Sequence, residues 1–348
     1  MFNLERKSFK KKLVRTSDCF AAKIFKMPLF DLGKGGDAKL EGILTPIYDN
    51  SVINQYVQSQ FTESAQVYLG KYENLEHFTR LLSTALRQVN LPAQNEMTIL
   101  DIGSGGGNTI FPLLTLFPNS RLIASDLSVE MLVSLKKGLD KLISNQGGEE
   151  RCLLMQLNAE ELNFQENSFD LITGGAVLHH MISPEKTIQK CAGILKPGGF
   201  AIFFEPFEEG HIILRNIYNT ILNDSRINTL IKEVKSLFQD LILDFDVRMV
   251  RDKSLPRFHC LDDKWLFNKN FFLELAERYE FSDCTIYPIH ETEIQFSNQT
   301  KTNLLLGRGK DRSSLPDWAW NIIGQYDRCF TKDTKEELLI EGCVILKK

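Results

Sequence analysis

The chain has 348 residues, 43% apolar and 25% charged, which is typical of a globular protein that can bury one large core or two smaller ones. Its net charge of −4 at pH 7 offers no basic field for nucleic acid, and no apolar run approaches the ~20 residues of a membrane span. The charged N-terminus does not resemble a secretory signal, and the seven cysteines form no CxxC pair. We therefore expect a cytoplasmic protein with free thiols.

The first 95 residues are predicted to be an extension that includes a helical cover. The basic run 6–15 is interpreted as a solvated arm, the alternative being contact with phosphate or anionic lipid. Glycines at 33–36 indicate a loop. Apolar residues at three- and four-residue spacing then predict a helix within 50–87, and its aromatic residues would fold over a ligand. Those aromatic residues are Tyr56, Phe61, Tyr68 and Tyr72.

Strand and helix patterns alternate from about residue 97. The apolar run Met97–Ile102 predicts a strand that ends at a glycine-rich segment. Four further strands are predicted, at 121–125, 151–157, 169–173 and 200–205. Helical patterns separate them, at 109–117, 128–144 and 183–195. This alternation predicts an α/β, Rossmann-like, mostly parallel sheet with helices on both faces.

The pattern changes after Pro206. Residues 207–265 are mostly helical and too long for an ordinary connection, so we expect a helical cap insertion. Residues 266–348 would return to the core with strands at 284–290 and 341–346, separated by a second insertion at about 297–336. The complete sheet would have seven strands, built on a core at 96–206.

The clearest functional signal is the sequence DIGSGGG at 101–107, directly after the first strand and before a helix. Glycines there allow a tight turn and a close approach to a ligand, and the helix that follows offers unpaired N–H groups. The spacing differs from the dinucleotide fingerprint GxGxxG, whose third glycine would fall at Asn108. A P-loop is excluded because no GK[ST] follows.

Polar residues and glycines end the strands that follow. Asp126 lies 21 residues after the central glycine of the loop, where an acid accepts hydrogen bonds from both hydroxyls of an adenosine ribose. This position suits NAD equally, and the alternative role of Asp126 is to cap the next helix. Asn158 and Glu160 offer polar groups to an adenine edge or form an exposed loop. Gly174 would let the chain pass beneath a cofactor.

Five segments in this order resemble the class I methyltransferases, which use S-adenosylmethionine. They are ILDIGSGGG (99–107), ASDLS (124–128), LNAEEL (157–162), FDLITGGAVLHHM (169–181) and LKPGGFAIFFEP (195–206). The segments are most similar to the small-molecule type 11 group, which includes ubiquinone and menaquinone C-methyltransferases. The resemblance covers about 97–206 and the two closing strands. It implies S-adenosylmethionine as the cofactor and does not specify the acceptor.

The resemblance also implies a set of cofactor-binding residues. They are Asp101, Gly103, Ser104, Gly105, Asp126, Leu127, Asn158, Ala159, Glu160 and Gly174. The glycine loop would border the methionine portion, Asp126 would hold the ribose, and Leu127 would pack on the adenine. The segment 158–160 would flank the adenine edge, although the family often has Asp where Asn158 stands. Gly174 would lie near the sulfonium.

Methyl transfer from a sulfonium is an in-line displacement that depends chiefly on positioning, and a general base assists when the nucleophile carries a proton. His179 and His180 follow the fourth strand and are the candidate bases, because an ordinary imidazole has a pKa of about 6.5. We prefer His180. Glu205, at the end of the fifth strand, and His211, in the cap, are further candidates. The alternative is that these side chains only pack.

Other methyltransferase sub-classes lack their motifs here. The sequence TGGA at 173–176 stands where amide and adenine N-methyltransferases have Asn/Asp-Pro-Pro-aromatic, and where catechol-type enzymes have carboxylates that bind magnesium. No cysteine follows a proline, as the cytosine-C5 mechanism requires. We therefore expect no metal ion and no covalent intermediate.

The sequence thus favours a methyltransferase with a small-molecule acceptor, for which the histidine pair indicates a hydroxyl oxygen. Transfer to carbon or nitrogen of a quinone-like or metabolite acceptor is one alternative. A non-catalytic regulator that binds S-adenosylmethionine and an NAD oxidoreductase are two others. We expect a monomer or homodimer with no nucleic-acid partner and no stable membrane insertion. Seven residues of the insertions would enclose the acceptor or form core: Phe207, Ile213, Ile217, Tyr218, Trp318, Trp320 and Tyr326.

Overall fold

The structure is a computed structural model that describes residues 13–14, 19–35, 37–46, 70, 74–91, 96–146 and 151–348. The chain divides into two compact units. Unit 1 takes its described residues from 1–175, 186–200 and 348, and unit 2 comprises 176–185 and 201–347. The basic side chains of the 6–15 run and the aromatic residues predicted to fold over a ligand lie outside the described residues.

Unit 1 contains seven complete strands. They are β1 (Leu13–Val14), β2 (Leu29–Asp31), β3 (Ile43–Pro46), β4 (Thr98–Ile102), β5 (Arg121–Asp126), β6 (Cys152–Gln156) and β7 (Phe169–Gly175). Their order in the sheet is β1-β2-β3-β6-β5-β4-β7. The strands β3, β6, β5, β4 and β7 pair in parallel, whereas β1, β2 and β3 pair antiparallel.

Except for the first, which was not predicted, the helices of this part of the chain lie at or within the predicted positions. They are α1 (Phe20–Ile24), α2 (Leu75–Gln88), α3 (Ile110–Leu116), α4 (Val129–Gln146) and α5 (Pro184–Ile194), whose first two residues belong to unit 2. Asn74 caps α2 by accepting the N–H of His77 at 3.1 Å, and the apolar stripe of α2 is buried. Pro112 lies in the first turn of α3, where its missing N–H costs nothing.

The N-terminal extension contributes strands that the sequence analysis did not predict. The described residues contain ten strands rather than seven, and the additional three are β1, β2 and β3. Strand β3 extends the parallel sheet, with Ile43 opposite Leu154 and Leu44 opposite Met155. These strands have only two to four residues each, too few to show a periodic pattern. The extension therefore contains short strands in addition to helix.

Strand β8 (Leu195–Pro206) begins five residues earlier than predicted. The sequence KPGG at 196–199 was expected to separate helix and strand, but it belongs to β8. Lys196 Nζ lies 2.7 Å from Asp170 Oδ2, at the start of β7. A Cβ on Gly199 would approach the carbonyl oxygen of Asp170 to 3.0 Å. Glycine is thus required by close packing of the backbone.

Unit 2 contains the rest of β8, then β10 (Glu341–Lys347) and β9 (Asp283–Pro288), which pair antiparallel. Its helices are α6 (Glu208–Leu222), α7 (Lys232–Arg248), α8 (Pro256–His259), α9 (Lys269–Arg278), α10 (Gln295–Arg308), α11 (Asp317–Cys329) and α12 (Lys332–Glu337). The helical character predicted for both insertions is therefore present. The predicted boundaries at 95, 206 and 265 remain a prediction. The two compact units are a different division of the chain and do not test them.

The aromatic and aliphatic residues predicted either to enclose an acceptor or to form core lie in or against the core of unit 2. Tyr218 is fully buried and stacks on Phe238 with ring centroids 4.3 Å apart. Trp320 belongs to the same apolar cluster, and Trp318 and Tyr326 pack against it. These residues therefore pack in or against the core of unit 2, as the packing alternative proposed.

The predicted Rossmann-like α/β core is confirmed. The apolar runs of the central strands are fully buried, as Ile99, Leu100 and Ile102 of β4 show, because parallel strands are covered on both sides. Within the described residues, no helix combines the length and apolar composition that a membrane span requires.

The ring of Phe111 packs against Gly138, and this contact predicts that two helical glycines respond differently to replacement by alanine. A Cβ on Gly138 of α4 would lie 2.6 Å from Phe111 Cζ, whereas a Cβ on Gly193 of α5 would meet no atom within 4 Å. We expect Gly138→Ala to lower the free energy of unfolding by about 1–3 kcal/mol through overpacking. Gly193→Ala should instead raise it by about 0.5–1 kcal/mol, because alanine is the better helix former. Urea unfolding of both variants tests this, and equal effects would contradict the packing argument.

Candidate functional site

The glycine loop after β4 has the backbone conformation that its sequence predicts. Gly103, Gly105 and Gly107 have φ of 66°, 49° and 103°, in the region that favours glycine. A Cβ on Gly107 would clash with Phe111 at 2.6 Å, so this glycine serves packing. A Cβ on Gly105 would meet nothing within 4 Å. Gly105 therefore presents a bare, open stretch of backbone that a ligand can approach.

Asp101 is buried behind this loop and holds it in place. Its two carboxylate oxygens accept the hydroxyls of Thr109, at 2.7 Å, and Thr173, at 2.5 Å. The hydroxyls of Ser104 and Ser125 donate to its carbonyl oxygen. Burial raises the pKa of Asp101 to about 6, against the lowering effect of these hydroxyls. This acid ties β4, β7 and the start of α3 together.

Asp126, at the end of β5, connects to the same loop. Its Oδ2 accepts the N–H of Gly105 at 2.8 Å, and its Oδ1 accepts the N–H of Ser128 at 2.8 Å. Burial raises the pKa of Asp126, while these backbone N–H groups lower it. Ser128 also receives the N–H of Met131, so the helix start is capped as predicted. Each carboxylate oxygen has capacity for a second donor.

The segment after β6 forms a short turn beside β5. The N–H of Leu157 donates to the carbonyl oxygen of Asp126 at 3.0 Å. Asn158 Oδ1 accepts the N–H of Glu160 at 3.0 Å, and the carbonyl oxygen of Ala159 accepts the hydroxyl of Thr187. The Asn158 side chain therefore shapes this turn. Its predicted contact with adenine remains a prediction.

The remaining predicted cofactor residues lie at two strand ends. Leu127 follows β5, and Gly174 is buried near the end of β7. The closest packing at this end of β7 is at Gly175, where a Cβ would come within 3.0 Å of the Phe78 ring and 3.1 Å of the Thr109 methyl. Glycine at 175 thus allows α2 to pack against the strand end. The role predicted for Gly174 beside a sulfonium stays a prediction.

These residues fit the nucleoside that the sequence implies. The carboxylate of Asp126 accepts backbone N–H groups and keeps acceptor capacity for the hydroxyls of a ribose. Directly beside it, Gly105 leaves open space where a side chain would otherwise project. Unit 1 therefore brings together the glycine loop, Asp101 and Asp126.

Unit 2 contains the three predicted catalytic residues in one cluster. The Nδ1 of His179 lies 2.7 Å from Glu205 Oε2. Glu205 is only 2% exposed, and its carboxylate also accepts the N–H groups of Val177, Leu178 and His179. With four donors on its two oxygens, Glu205 orients the histidine and the backbone before it. This arrangement favours a positioning role for Glu205.

Acids that the sequence analysis did not single out complete this cluster. His179 Nε2 and His180 Nδ1 each lie 3.4 Å from Asp263 Oδ1. His180 Nδ1 is also 3.1 Å from the carbonyl oxygen of Asp262. Arg248 lies 3.4 Å from the other oxygen of Asp263. Asp263 is 84 residues from His179 along the chain and belongs to no motif, so nothing in the sequence indicated this contact.

The two histidines have opposite electrostatic environments. Burial would lower the pKa of His179, but the carboxylates of Glu205 and Asp263 outweigh it and raise the pKa to about 9. Burial and the neighbouring His179 lower the pKa of His180 to about 3. Neither imidazole keeps the near-neutral pKa on which the prediction of a base was founded. The base role of either ring remains a proposal.

His211, the further candidate, lies in the packed interior of unit 2. It is 5% exposed, its Nδ1 is 2.7 Å from the carbonyl oxygen of Phe207, and its ring packs edge-on against Phe245. Burial lowers the pKa of His211 to about 3. These contacts agree with the packing alternative.

Comparisons with known proteins agree with this geometry. Residues 100–203 match the family model of a methyltransferase domain. A mitochondrial 2-methoxy-6-polyprenyl-1,4-benzoquinol methylase from Caenorhabditis elegans is 32% identical over 120 residues, which are 34% of this chain and 41% of that protein. A ubiquinone/menaquinone biosynthesis C-methyltransferase from Pseudoalteromonas translucida is 34% identical over 122 residues, which are 35% and 47%. The chain thus matches less than half the length of these relatives.

Among solved structures, the phosphoethanolamine N-methyltransferase 2 of Haemonchus contortus in complex with S-adenosyl-L-methionine is similar. The TM-score is 0.50 at 15% identity, and the match covers 88% of this chain and 62% of that one. At this identity the likeness concerns the fold alone. The Rossmann-like fold and the glycine loop with its strand-end acid define a class I methyltransferase domain, which depends on S-adenosylmethionine. Residues 100–203 match the model of this methyltransferase domain, in agreement with the type 11 resemblance of the sequence motifs.

The geometry of Asp126 predicts a strong effect on cofactor binding. We expect Asp126→Asn to weaken binding of S-adenosylhomocysteine at least about tenfold, because hydrogen bonds to a charged group contribute about 1.5–3 kcal/mol each. Titration calorimetry measures the affinity. The matched control is Asp140→Asn, an exposed acid of α4 that pairs with Lys136, which should leave the affinity unchanged. Equal affinities for the two variants would remove Asp126 from the site.

Proposed function

We propose that this protein is an enzyme that transfers a methyl group from S-adenosylmethionine to a small-molecule acceptor. The observation that carries the proposal is the joint arrangement of Gly105 and Asp126, in which open backbone lies beside a carboxylate with unused acceptor positions. An NAD oxidoreductase would use a similar acid, but the GxGxG spacing of the loop supports a methyltransferase instead.

The residues of unit 1 would bind and orient the cofactor. Asp126 would accept both ribose hydroxyls, the backbone at Gly103 and Gly105 would follow the methionine portion, and the turn at 158–160 would flank the adenine. The bound cofactor supplies a methyl group on a sulfonium, which is already activated for displacement. The protein contributes mainly position, which is worth about 7–11 kcal/mol in well-oriented reactions.

For the acceptor, we propose a hydroxyl oxygen, with His180 as the base that takes its proton. Support comes from the position of His180 directly after β7 and from Glu205, which holds the ring and the backbone N–H of the neighbouring His179. The alternative acceptor is a carbon of a quinone-like ring. It is favoured by the relatives above, whose names describe methylation of quinols and of ubiquinone or menaquinone precursors.

Methyl transfer can be tested with isotope-labelled cofactor. We expect the purified protein to convert S-[methyl-13C]adenosylmethionine to S-adenosylhomocysteine when it is incubated with a panel of phenols, quinols and hydroxylated metabolites. Mass spectrometry identifies the labelled product, and its 13C shift separates a methoxy from a C-methyl group. Asp126→Asn serves as the inactive reference and Asp140→Asn as the active one. Tight binding of cofactor without turnover on any acceptor would favour the regulatory alternative.

The base is tested with the same assay. We expect His180→Ala to lower kcat by about 10²-fold or more, the usual contribution of general-base catalysis. His259→Ala, in the short helix α8, is the control for loss of an imidazole elsewhere in unit 2. Turnover within threefold of the wild-type rate for both His179→Ala and His180→Ala would refute the base hypothesis.

We further propose the cytoplasm as the location and a monomer or homodimer without nucleic-acid partners as the working form. The acidic balance of the chain supports the absence of nucleic acid.

A further inference from the structure

We propose that His179, His180 and Asp263 form a binding site for a divalent transition-metal ion of the zinc type in unit 2. The three side chains each offer one ligand atom, and these atoms all lie within 4.8 Å of one another. Two imidazole nitrogens and one carboxylate oxygen are a ligand set that zinc and cobalt accept and that magnesium does not favour. The inference goes beyond the proposed methyl transfer and concerns a second ligand.

Two distances within the cluster equal the spacing of ligands on a tetrahedral ion. His179 Nε2 and His180 Nδ1 are both 3.4 Å from Asp263 Oδ1. Hydrogen bonds between such groups are shorter, about 2.7–3.2 Å. A tetrahedral ion with bonds of about 2.1 Å holds its ligands about 3.4 Å apart. Asp263 Oδ1 therefore lies at the ligand-to-ligand distance of a tetrahedral site from a nitrogen of each imidazole ring.

The surroundings of His179 are those of a metal ligand. Its Nδ1 is held at 2.7 Å by Glu205, which directs Nε2 toward Asp263. A carboxylate behind the non-coordinating nitrogen fixes the tautomer and orientation of metal-bound histidines in general. Glu205 is in turn fixed by three backbone N–H groups, so the support for the first ligand is rigid.

The charges around the cluster favour a cation. Glu205, Asp262, Asp263 and Asp244 contribute negative charge, against Arg248, Lys264 and protonated His179. Metal binding would displace the proton of His179, because a histidine ligand is neutral. Arg248 faces Oδ2 of Asp263 and also contacts Asp244, which leaves Oδ1 on the side of the two rings. Lys264 Nζ is engaged by the carbonyl oxygen of Leu261 at 2.7 Å.

The site is also accessible. The Asp263 side chain is 40% exposed, whereas His179 is buried. An ion can therefore enter from the Asp263 side, and three protein ligands leave a fourth position for water, as in catalytic rather than structural zinc sites. On binding, His180 Nδ1 would exchange its contact with the carbonyl oxygen of Asp262 for the ion. A loaded site would occupy His180, so the base role proposed for this ring applies to the metal-free protein.

Cobalt substitution tests the site directly. We expect the untagged full-length protein, after treatment with a chelator and dialysis, to bind one Co²⁺ per chain and to show the intense visible absorption of tetrahedral cobalt. Zn²⁺ should displace the cobalt and abolish the absorption. His180→Ala and Asp263→Asn should each weaken Co²⁺ binding at least about tenfold, because a three-ligand site loses a ligand.

Two controls make the outcome decisive. Asp262→Asn removes a neighbouring charge but none of the three ligand groups, so it should weaken Co²⁺ binding less than Asp263→Asn does. Affinity of each variant for S-adenosylhomocysteine, measured by calorimetry, should be unchanged, which separates a failed metal site from a failed cofactor site or a misfolded chain. Absence of the visible absorption in the wild type, or equal affinities for Asp263→Asn and Asp262→Asn, would overturn the proposal.

Discussion

The hydrogen bond from the Gly105 N–H to Asp126 Oδ2 joins the two features on which the cofactor site depends. The glycine loop leaves β4 with three residues at positive φ. The carboxylate at the end of the neighbouring strand fixes this loop from one side, and buried Asp101 fixes it from the other. The same carboxylate keeps acceptor capacity for a ribose, so the loop and the sugar-binding group are positioned together.

The sequence predicted the core because its parallel strands are nearly continuous apolar runs and helices such as α2 and α4 begin at capping residues. Strands β4 to β7 and the helices between them begin and end within a few residues of their predicted bounds. The glycine loop, Asp101 and Asp126 were found because each lies directly at a strand end, where local order along the chain determines position. The short strands β1 to β3 were missed because two to four residues carry no period.

The histidine cluster shows where such prediction stops. His179, His180 and Glu205 were recognised because they follow strands, but their chemistry depends on Asp263 and Arg248, which come from distant parts of the sequence. Burial and these charges move the pKa values of the two rings in opposite directions, so an estimate from isolated imidazole was misleading. Contacts between residues so far apart along the chain produce no spacing pattern in the sequence.

The four N–H groups that converge on Glu205 also constrain how this protein can diversify. A neutral or shorter residue at 205 would leave several buried N–H groups without an acceptor, and each such group would lower the stability of the fold by about 1–3 kcal/mol. We therefore expect substitutions at position 205 to occur together with substitutions in the segment 177–179. In descendants of this chain, the acid and the histidine that it holds should be inherited or lost as a pair, even where acceptor preference has changed.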